Sequence, residues 1–340
     1  MLSSIKPAEG ALTREDVEAA AARIDGQLRR TPLLENPLLN ERLGFRLLAK
    51  AECLQVTGSF KARGAFNAIA SLEPDVRARG VVAFSSGNHG QGIAWAARHF
   101  GIPAWVVMPA DAPQPKLAAT AAWGAEVITY DRATEDRSEI GARLCAERGA
   151  ALIPPFDHPG VIAGQGTTGL EILEQANALD GVVDRIIVCT SGGGLAAGIG
   201  LAFDGQAPVK DGLWVAEPQG FDDYGRSLVS GKRELNAARS GSLCDALLVS
   251  PCGELTFPLT QSRYAGGLSV SDDEALAAMK LAYGAFRVVV EPGGAVALAA
   301  ACKNRKAGST TVVTLSGGNV SDDVFAQALK IQDPERQLGF

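Results

Sequence analysis

The sequence predicts an α/β protein whose mostly parallel sheet is covered by helices on both faces. Short apolar strands alternate with alanine-rich helical stretches along most of the chain. The strands are apolar throughout rather than at every second residue, which is typical of strands buried on both faces. The composition, with 46% hydrophobic and 21% charged residues, is that of a globular protein. The 340 residues suffice for two domains of roughly 150 residues each.

The predicted elements follow in chain order. A helix begins at Thr13, where Asp16 completes a capping box, and runs to about Leu28. Strands are predicted over 45–50, 80–85, 104–109 and 126–131, with helices near 61–72, 89–100 and 114–123. The strand series resumes with 185–190, 212–217, 286–291 and 309–316. Because ligands bind beyond the carboxyl ends of parallel strands, the loops after these strands form the candidate site.

Charge and cysteine spacing narrow the possible partners and the compartment. The net charge of −6 provides no general basic surface for nucleic acid or anionic lipid. The six cysteines form no CxxC pair, and the first residues lack the apolar core of a signal peptide. No apolar run approaches the ~18 residues of a membrane span. We therefore expect a cytoplasmic protein that binds neither nucleic acid nor membranes.

The loop Ser191-Gly192-Gly193-Gly194-Leu195 follows the strand at 185–190 and precedes a helical stretch. Successive glycines allow backbone N–H groups to converge on an anion at a helix N-terminus, so the loop is a candidate phosphate site. Two other interpretations stay open. One is a tight turn with close helix packing. The other is a dinucleotide motif made by Gly192, Gly194 and Ala197, with Glu217 ending the next strand, which would indicate an NAD-dependent oxidoreductase.

Three further loops carry side chains that suit a small ligand. Lys61, at the start of a helix in TGSFKARGA, would have a nucleophilic amine if it were kept from water, although a single lysine is usually solvated. The segment SSGNHGQG at 85–92 offers hydroxyl, amide and backbone donors for a small carboxylate, whereas a helix cap needs only one of them. Ser316 ends a buried strand and by default satisfies backbone groups there.

Five motifs, taken in order, resemble those of the serine/threonine dehydratase and serine racemase family of pyridoxal-phosphate (PLP) enzymes. They are SFKARGA, SSGNHGQG, TSGGGLAAG, VVVEPGGAVALAA and LSGGNV, and the resemblance extends from about Thr31 to Val320. It implies fold type II, the tryptophan synthase β-like fold, with two open, twisted, mostly parallel sheets. It also implies a large PLP-binding domain formed by 1–79 and 156–340, and a small mobile domain formed by 80–155 that closes over the site.

The same resemblance assigns roles to the loop residues. Lys61 would hold the cofactor as a Schiff base and then remove the α-proton of the substrate. The residues implied to bind the cofactor are Phe60, Lys61, Asn88, Ser191, Gly192, Gly193, Gly194, Leu195 and Ser316, of which Asn88 would bind the ring hydroxyl and Ser316 would face the ring nitrogen. The residues implied to bind the substrate carboxylate are Ser86, Gly87, Asn88 and His89. A hydride carrier has no use for Lys61, which argues against NAD, and a non-catalytic ligand binder stays open.

The implied reaction is the loss of water from a β-hydroxy amino acid such as L-threonine or L-serine, followed by tautomerisation and hydrolysis of the product to a 2-oxo acid and ammonia. A hydroxyl group at the ring nitrogen does not keep that nitrogen protonated as a carboxylate would, so elimination is favoured over transamination. A serine or aspartate-type racemase is an alternative, because Ser86 matches the second acid–base residue of serine racemases. A 3-hydroxyaspartate ammonia-lyase is another, if Arg137 faces the cleft rather than solvent.

The resemblance also implies a divalent cation site and an assembly. Glu217 and Asp223, together with the backbone carbonyl of Phe221, match positions that often hold a cation in this family. Oxygen ligands of this kind suit Mg²⁺ or Ca²⁺. Two acidic residues in a surface loop are otherwise ordinary. Dimers are common in the family, so we expect a homodimer. The expected small-molecule partner is an amino acid substrate.

Overall fold

The computed structural model describes residues 12–85, 87–112, 114–179, 182–207 and 209–340, which form two separate sheets. The larger sheet contains, in spatial order, β1 (Leu33–Glu35), β2 (Arg46–Lys50), β10 (Thr310–Thr314), β7 (Arg185–Cys189), β8 (Leu213–Pro218) and β9 (Tyr264–Val270). The smaller sheet contains β5 (Glu126–Tyr130), β4 (Ala104–Pro109), β3 (Val81–Phe84) and β6 (Ala151–Leu152). Apart from the antiparallel pair of β1 and β2, these pairings are parallel. The predicted α/β class with two mostly parallel sheets is confirmed.

Helices connect the strands and cover both sheets. The first group consists of α1 (Arg14–Ile24), α2 (Pro37–Leu43), α3 (Lys61–Ala70), α4 (Pro74–Ala78), α5 (Asn88–Phe100), α6 (Gln114–Ala122) and α7 (Arg137–Arg148). The second group consists of α8 (Pro159–Ala178), α9 (Gly194–Ala202), α10 (Asp223–Ser230), α11 (Thr256–Gln261), α12 (Asp272–Phe286), α13 (Pro292–Lys303), α14 (Asp322–Leu329) and α15 (Pro334–Gln337). Short 3₁₀ turns occur at Glu52–Leu54 and Asp245–Leu247. Helices α9 and α13 are apolar all round because they are buried on nearly every side.

The predicted strand over 286–291 is wrong. Helix α12 continues to Phe286 and ends at Arg287, whose φ of 61° is left-handed. Val288 and Val290 are buried while Val289 is exposed, so the alternation typical of a strand is present. Within the described ranges, however, the segment belongs to neither sheet. The first helix also ends earlier than expected, at Ile24, although Asp16 does accept a hydrogen bond from the Thr13 amide at 2.8 Å.

Strand β9 is absent from the predicted elements because Gly266 and Gly267 interrupt its apolar pattern. The structure explains the second glycine. A Cβ atom at Gly267 would lie 2.4 Å from the Cα atom of Gly225 in α10. Because positions 225 and 267 are both glycine, the backbones of α10 and β9 can pack in direct contact. A search for strand-forming residues in the sequence does not detect this contact.

Four charged side chains form a buried network behind α3. The guanidinium group of Arg63 donates to Glu52 through two hydrogen bonds of 2.8 Å, and both side chains are fully buried. Arg63 also donates to Glu171 of α8 at 2.7 and 2.8 Å. Lys50, at the end of β2, donates to Glu171 at 2.5 Å. The two cations and two carboxylates compensate one another, as charges removed from water must. The network joins α3 to β2 and α8, and Lys61 is the first residue of α3.

Candidate active site

A single cavity collects the loops that follow β3, β7 and β10. Its lining includes Phe60 before α3, Lys61 as the first residue of α3, and Ser316 after β10. It also includes Gly87, Asn88 and His89 after β3, and residues 191–195 after β7. The structure thus brings together the predicted cofactor and substrate residues that it describes. Ser86 lies outside the described residues.

Lys61 holds its amine inside this cavity. The Nζ atom donates a hydrogen bond to the carbonyl oxygen of Pro155 at 2.6 Å and lies 5.1 Å from the centre of the Phe60 ring. Burial lowers the pKa of the Lys61 amine to about 8, because an ammonium ion is disfavoured away from water. A neutral amine is therefore populated at mildly alkaline pH, and it can serve as a nucleophile or as a base.

The glycine loop joins β7 to α9 and packs against two aromatic rings. Gly193 has a φ of 94°, a left-handed conformation that favours glycine. A Cβ atom at Gly193 would lie 2.4 Å from the ring of Tyr224, and one at Gly192 would lie 2.4 Å from the ring of Phe156. Ser191 fixes the start of the loop, since its hydroxyl accepts from the Val249 amide at 3.1 Å. The first amides of α9 have no acceptor within the helix, so they are available to an anion in the cavity.

Asn88, the first residue of α5, is held by two side chains that the sequence alone does not assign to the site. Its Nδ2 atom donates to Oε1 of Glu291 at 2.5 Å, and its Oδ1 atom accepts from Nδ2 of Asn319 at 2.7 Å. Burial raises the pKa of Glu291 to about 7, against the opposing effect of the Lys116 ammonium. Glu291 lies in the motif VVVEPGG and Asn319 in the motif LSGGNV. Their position in these two family motifs is the sequence feature that could have indicated a role in the site.

His89 contributes an anchored ring rather than a titrating one. Its Nε2 atom lies 2.8 Å from the carbonyl oxygen of Ile153, which can only accept, so Nε2 carries the proton. Burial, with a smaller effect of the Lys61 charge, lowers the pKa of the imidazole to about 3. The ring is therefore neutral and fixes the first turn of α5 to the end of β6. The substrate role predicted for His89 stays a prediction, and its ring is occupied by Ile153.

Two cationic side chains also line the cavity. Arg137, the first residue of α7, lies with its guanidinium carbon 5.2 Å from the centre of the Phe84 ring. Lys116 of α6 donates to Asp245 at 2.5 Å. Arg137 is half-buried and lines the cavity, so it is less exposed than a residue on the solvated face of a charged helix, the alternative that the sequence left open.

The predicted cation ligands lie at the end of β8 and the start of α10. Glu217 accepts hydrogen bonds from the amides of Tyr224 and Gly225, at 3.0 and 2.7 Å. Asp223 accepts from Asn236 at 2.6 Å, and its Oδ2 atom is buried with no partner among the described residues. Burial raises the pKa of both carboxyl groups. Among the described residues no group of three or more His, Cys, Asp or Glu side chains is arranged for a metal. Two buried carboxylates with an unpartnered oxygen nevertheless suit a hard cation, and the metal site stays a prediction.

Comparison with known proteins decides between the open interpretations. The family model described as "Pyridoxal-phosphate dependent enzyme" matches residues 24–317. The chain belongs to this family of PLP-dependent enzymes. It is 42% identical, over 317 residues, to the L-threo-3-hydroxyaspartate ammonia-lyase of Saccharomyces cerevisiae, covering 92% of this chain and 95% of that protein.

Solved structures of PLP enzymes have the same fold. The crystal structure of a threonine deaminase from T.th. is similar with a TM-score of 0.86 and 42% identity, covering 91% of this chain and 99% of that one. The structure of maize serine racemase is similar with a TM-score of 0.87 and 36% identity, covering 94% of this chain and 97% of that one. The predicted family, the fold type II architecture and the PLP cofactor are therefore confirmed, and the NAD-dependent interpretation is set aside.

The residues of the cavity fit PLP by their chemistry. A buried amine of lowered pKa, a glycine loop at the start of a helix and a hydroxyl group at Ser316 match the aldehyde, the phosphate and the ring nitrogen. The roles of the individual residues stay predictions. Within the described part of the chain, no helix is both long enough and apolar enough to span a bilayer.

Proposed function

We propose that the protein is a PLP-dependent ammonia-lyase whose substrate is L-threo-3-hydroxyaspartate. The substrate loses water, and hydrolysis of the resulting imine by water gives oxaloacetate and ammonia. The observation that carries this proposal is Arg137, a second anion-binding group in the wall of the cavity. The relative named L-threo-3-hydroxyaspartate ammonia-lyase supports it. L-Threonine and L-serine, the substrates that the sequence alone favours, are the second candidates, supported by the equal identity to a threonine deaminase.

The chain's own residues divide the work of this reaction. Bound PLP supplies the withdrawal of electrons from the α-carbon. The amine of Lys61 accepts the α-proton, and its lowered pKa makes the neutral amine available for this at mildly alkaline pH. The glycine loop 191–195 would hold the phosphate of PLP, and the uncharged hydroxyl of Ser316 would face its ring nitrogen. The backbone amides of Asn88 and His89 bind the α-carboxylate of the substrate, whereas the Gly87 amide donates to Oγ of Ser85 at 3.0 Å.

Arg137 suits the second carboxylate of a dicarboxylic substrate. A guanidinium group presents parallel N–H donors that match both oxygens of a carboxylate. The Phe84 ring lies against one face of Arg137, and cation–π contact restricts the plane of that donor group. Neither threonine nor serine has a group that would use this cation, so binding them leaves it without a partner.

The two sheets supply different parts of the proposed site. Lys61 and the glycine loop belong to segments of the larger sheet, whereas Asn88 and Arg137 belong to helices beside the smaller sheet. We propose that residues 80–155 form a mobile domain whose closure carries the substrate-binding groups to the cofactor and excludes water. The homodimer and the cytoplasmic location stay predictions.

The test compares three substrates and three variants by release of 2-oxo acid. We expect the highest kcat/KM for L-threo-3-hydroxyaspartate. In Arg137→Ala that value should fall about 100-fold, as for loss of a charged hydrogen bond in a buried site, while kcat/KM for L-serine changes less than about threefold. Arg137→Lys should recover part of the loss. Arg143→Ala, an exposed position on the same helix, is the matched control and should match the wild type.

Two kinetic results would overturn this proposal. One is a higher kcat/KM for L-serine or L-threonine than for 3-hydroxyaspartate in the wild-type enzyme. The other is an equal loss for L-serine and 3-hydroxyaspartate in Arg137→Ala. Chiral chromatography of the remaining substrate adds a third: racemisation that outpaces 2-oxo acid release would assign the protein to the racemase branch of its family.

A further inference from the structure

Asp157 organises a turn that lies beside the proposed phosphate loop. Its carboxylate accepts three backbone hydrogen bonds, from the amides of Glu254, Leu255 and Thr256 at 3.0, 2.8 and 3.2 Å. These amides open α11, where no carbonyl of the helix itself is available to them. One side chain therefore fixes the conformation of the turn at 253–256.

The turn at 253–256 fixes one carbonyl group of the glycine loop. The oxygen of Gly192 accepts from the Gly253 amide at 3.1 Å and from Oγ1 of Thr256 at 2.6 Å. With two donors, both lone pairs of that oxygen are used. The peptide between Gly192 and Gly193 is planar and trans, so the Gly193 N–H is directed opposite to this carbonyl. The donor then points away from the turn, and Gly193 itself lines the cavity.

Three successive glycines have no conformational preference of their own that would hold such a donor in place. Phe156, the neighbour of Asp157, packs against Gly192, and Pro155 accepts the hydrogen bond of the Lys61 amine. Residues 155–157 therefore contact both the lysine and the phosphate loop. A loop fixed before the ligand arrives binds it with less loss of entropy.

We propose that Asp157 is a positioning residue for the cofactor phosphate: through Thr256 and Gly253 it fixes the orientation of the Gly192–Gly193 peptide. Asp157 is not among the described residues that line the cavity, so it acts through the turn and not by contact with PLP. This inference rests on the proposed role of loop 191–195 as the phosphate site, and it is independent of the identity of the substrate.

The test measures binding of PLP and of pyridoxal, which lacks the phosphate, to the full-length protein freed of cofactor. Titrations followed by visible absorption give both Kd values. In Asp157→Ala we expect the Kd of PLP to rise about tenfold or more while that of pyridoxal changes less than about twofold, because only the phosphate uses the loop. Asp157→Asn keeps an oxygen acceptor, so its Kd for PLP should lie between those of the wild type and Asp157→Ala. Thr256→Val should raise the Kd of PLP in the same way.

Coupling and control variants complete the design. The double variant of Asp157→Ala and Thr256→Val should show less than the product of the two single effects, because both act on the Gly192 carbonyl. Asp333→Ala removes a carboxylate that accepts from the Arg336 amide at 2.9 Å at the start of α15, and it should leave both Kd values unchanged. If Asp157→Ala does not fold, the Kd values of PLP and pyridoxal are compared in Asp157→Asn and Thr256→Val instead.

Two outcomes would overturn the proposal for Asp157. An equal change in the Kd values of PLP and pyridoxal would mean a general structural role, and an unchanged Kd for PLP in the Asp157 and Thr256 variants would mean no role. A wild-type protein that binds pyridoxal as tightly as PLP would overturn the phosphate site itself. None of these results depends on which amino acid the enzyme consumes, so they are separate from failure of the proposed reaction.

Discussion

Replacing Glu291 with glutamine tests whether the fold disfavours a charged carboxyl group beside Asn88. Glu291 is 2% exposed, and its Oε1 atom accepts the hydrogen bond of Asn88. Burial raises its pKa from the ordinary value of 4.5 to about 7. Glutamine keeps a side-chain oxygen for Asn88 and carries no charge at any pH.

The sign and size of the effect follow from proton linkage. The folded protein binds this proton more tightly than the unfolded chain, so the stabilising contribution is complete below pH 4.5 and is lost as the pH rises to about 7. The difference between the two pKa values corresponds to about 3 kcal/mol. Most of this, roughly 2 to 3 kcal/mol, should be lost between pH 5 and pH 8.

Urea unfolding of the cofactor-free protein at these two pH values measures the effect. Between pH 5 and pH 8 the free energy of unfolding should fall by roughly 2 to 3 kcal/mol more in the wild type than in Glu291→Gln. Glu41→Gln, at an exposed position, should follow the wild type. Parallel pH dependence in the wild type and Glu291→Gln would refute the reasoning, because it would show that Glu291 is ionised over the whole range.

Three other replacements test the site and the core. Lys61→Ala should abolish the visible absorption band of bound cofactor that borohydride reduces, together with turnover; retention of both would contradict the role of Lys61. Arg63→Met leaves the buried carboxylate of Glu52 without its ion-pair partner and leaves Glu171 paired with Lys50, so urea unfolding should show a loss of about 3 to 5 kcal/mol in the free energy of unfolding. A loss below ~1 kcal/mol would contradict this. Added Ca²⁺ should raise the Tm of the wild type but not of Asp223→Asn, and identical shifts would exclude the predicted cation ligand.

Local pattern predicts most of this fold because the buried parallel strands are apolar along their whole length. It fails where pairing depends on distant residues. The segment 286–291 has strand-like composition and alternation but no neighbour in a sheet, whereas β9 pairs with β8 in spite of its glycines. The partner that makes Gly267 suitable is Gly225, about 40 residues away in the chain. A single sequence does not show that contact.

The site divides in the same way. Lys61 and the glycine loop are apparent from sequence because their chemistry resides in adjacent residues. Glu291 and Asn319 reach Asn88 only because α13 and the end of β10 converge on α5, so their contribution depends on tertiary structure. Asp157 is more remote still, since its hydrogen bonds end on a turn nearly 100 residues later and not on the cavity. Spacing along the chain gives no sign of such indirect support.

The buried charges behind α3 have a directional consequence for the amine in front of it. An α-helix advances about 100° per residue, so Lys61 and Arg63 leave α3 on nearly opposite sides, about 200° apart. Only one rotation of the helix about its axis points the guanidinium fork at both Glu52 and Glu171. The same rotation sets the direction in which the side chain of Lys61 leaves the helix. Apolar residues of equal volume could replace the charges at little cost in stability, yet they would let the helix turn.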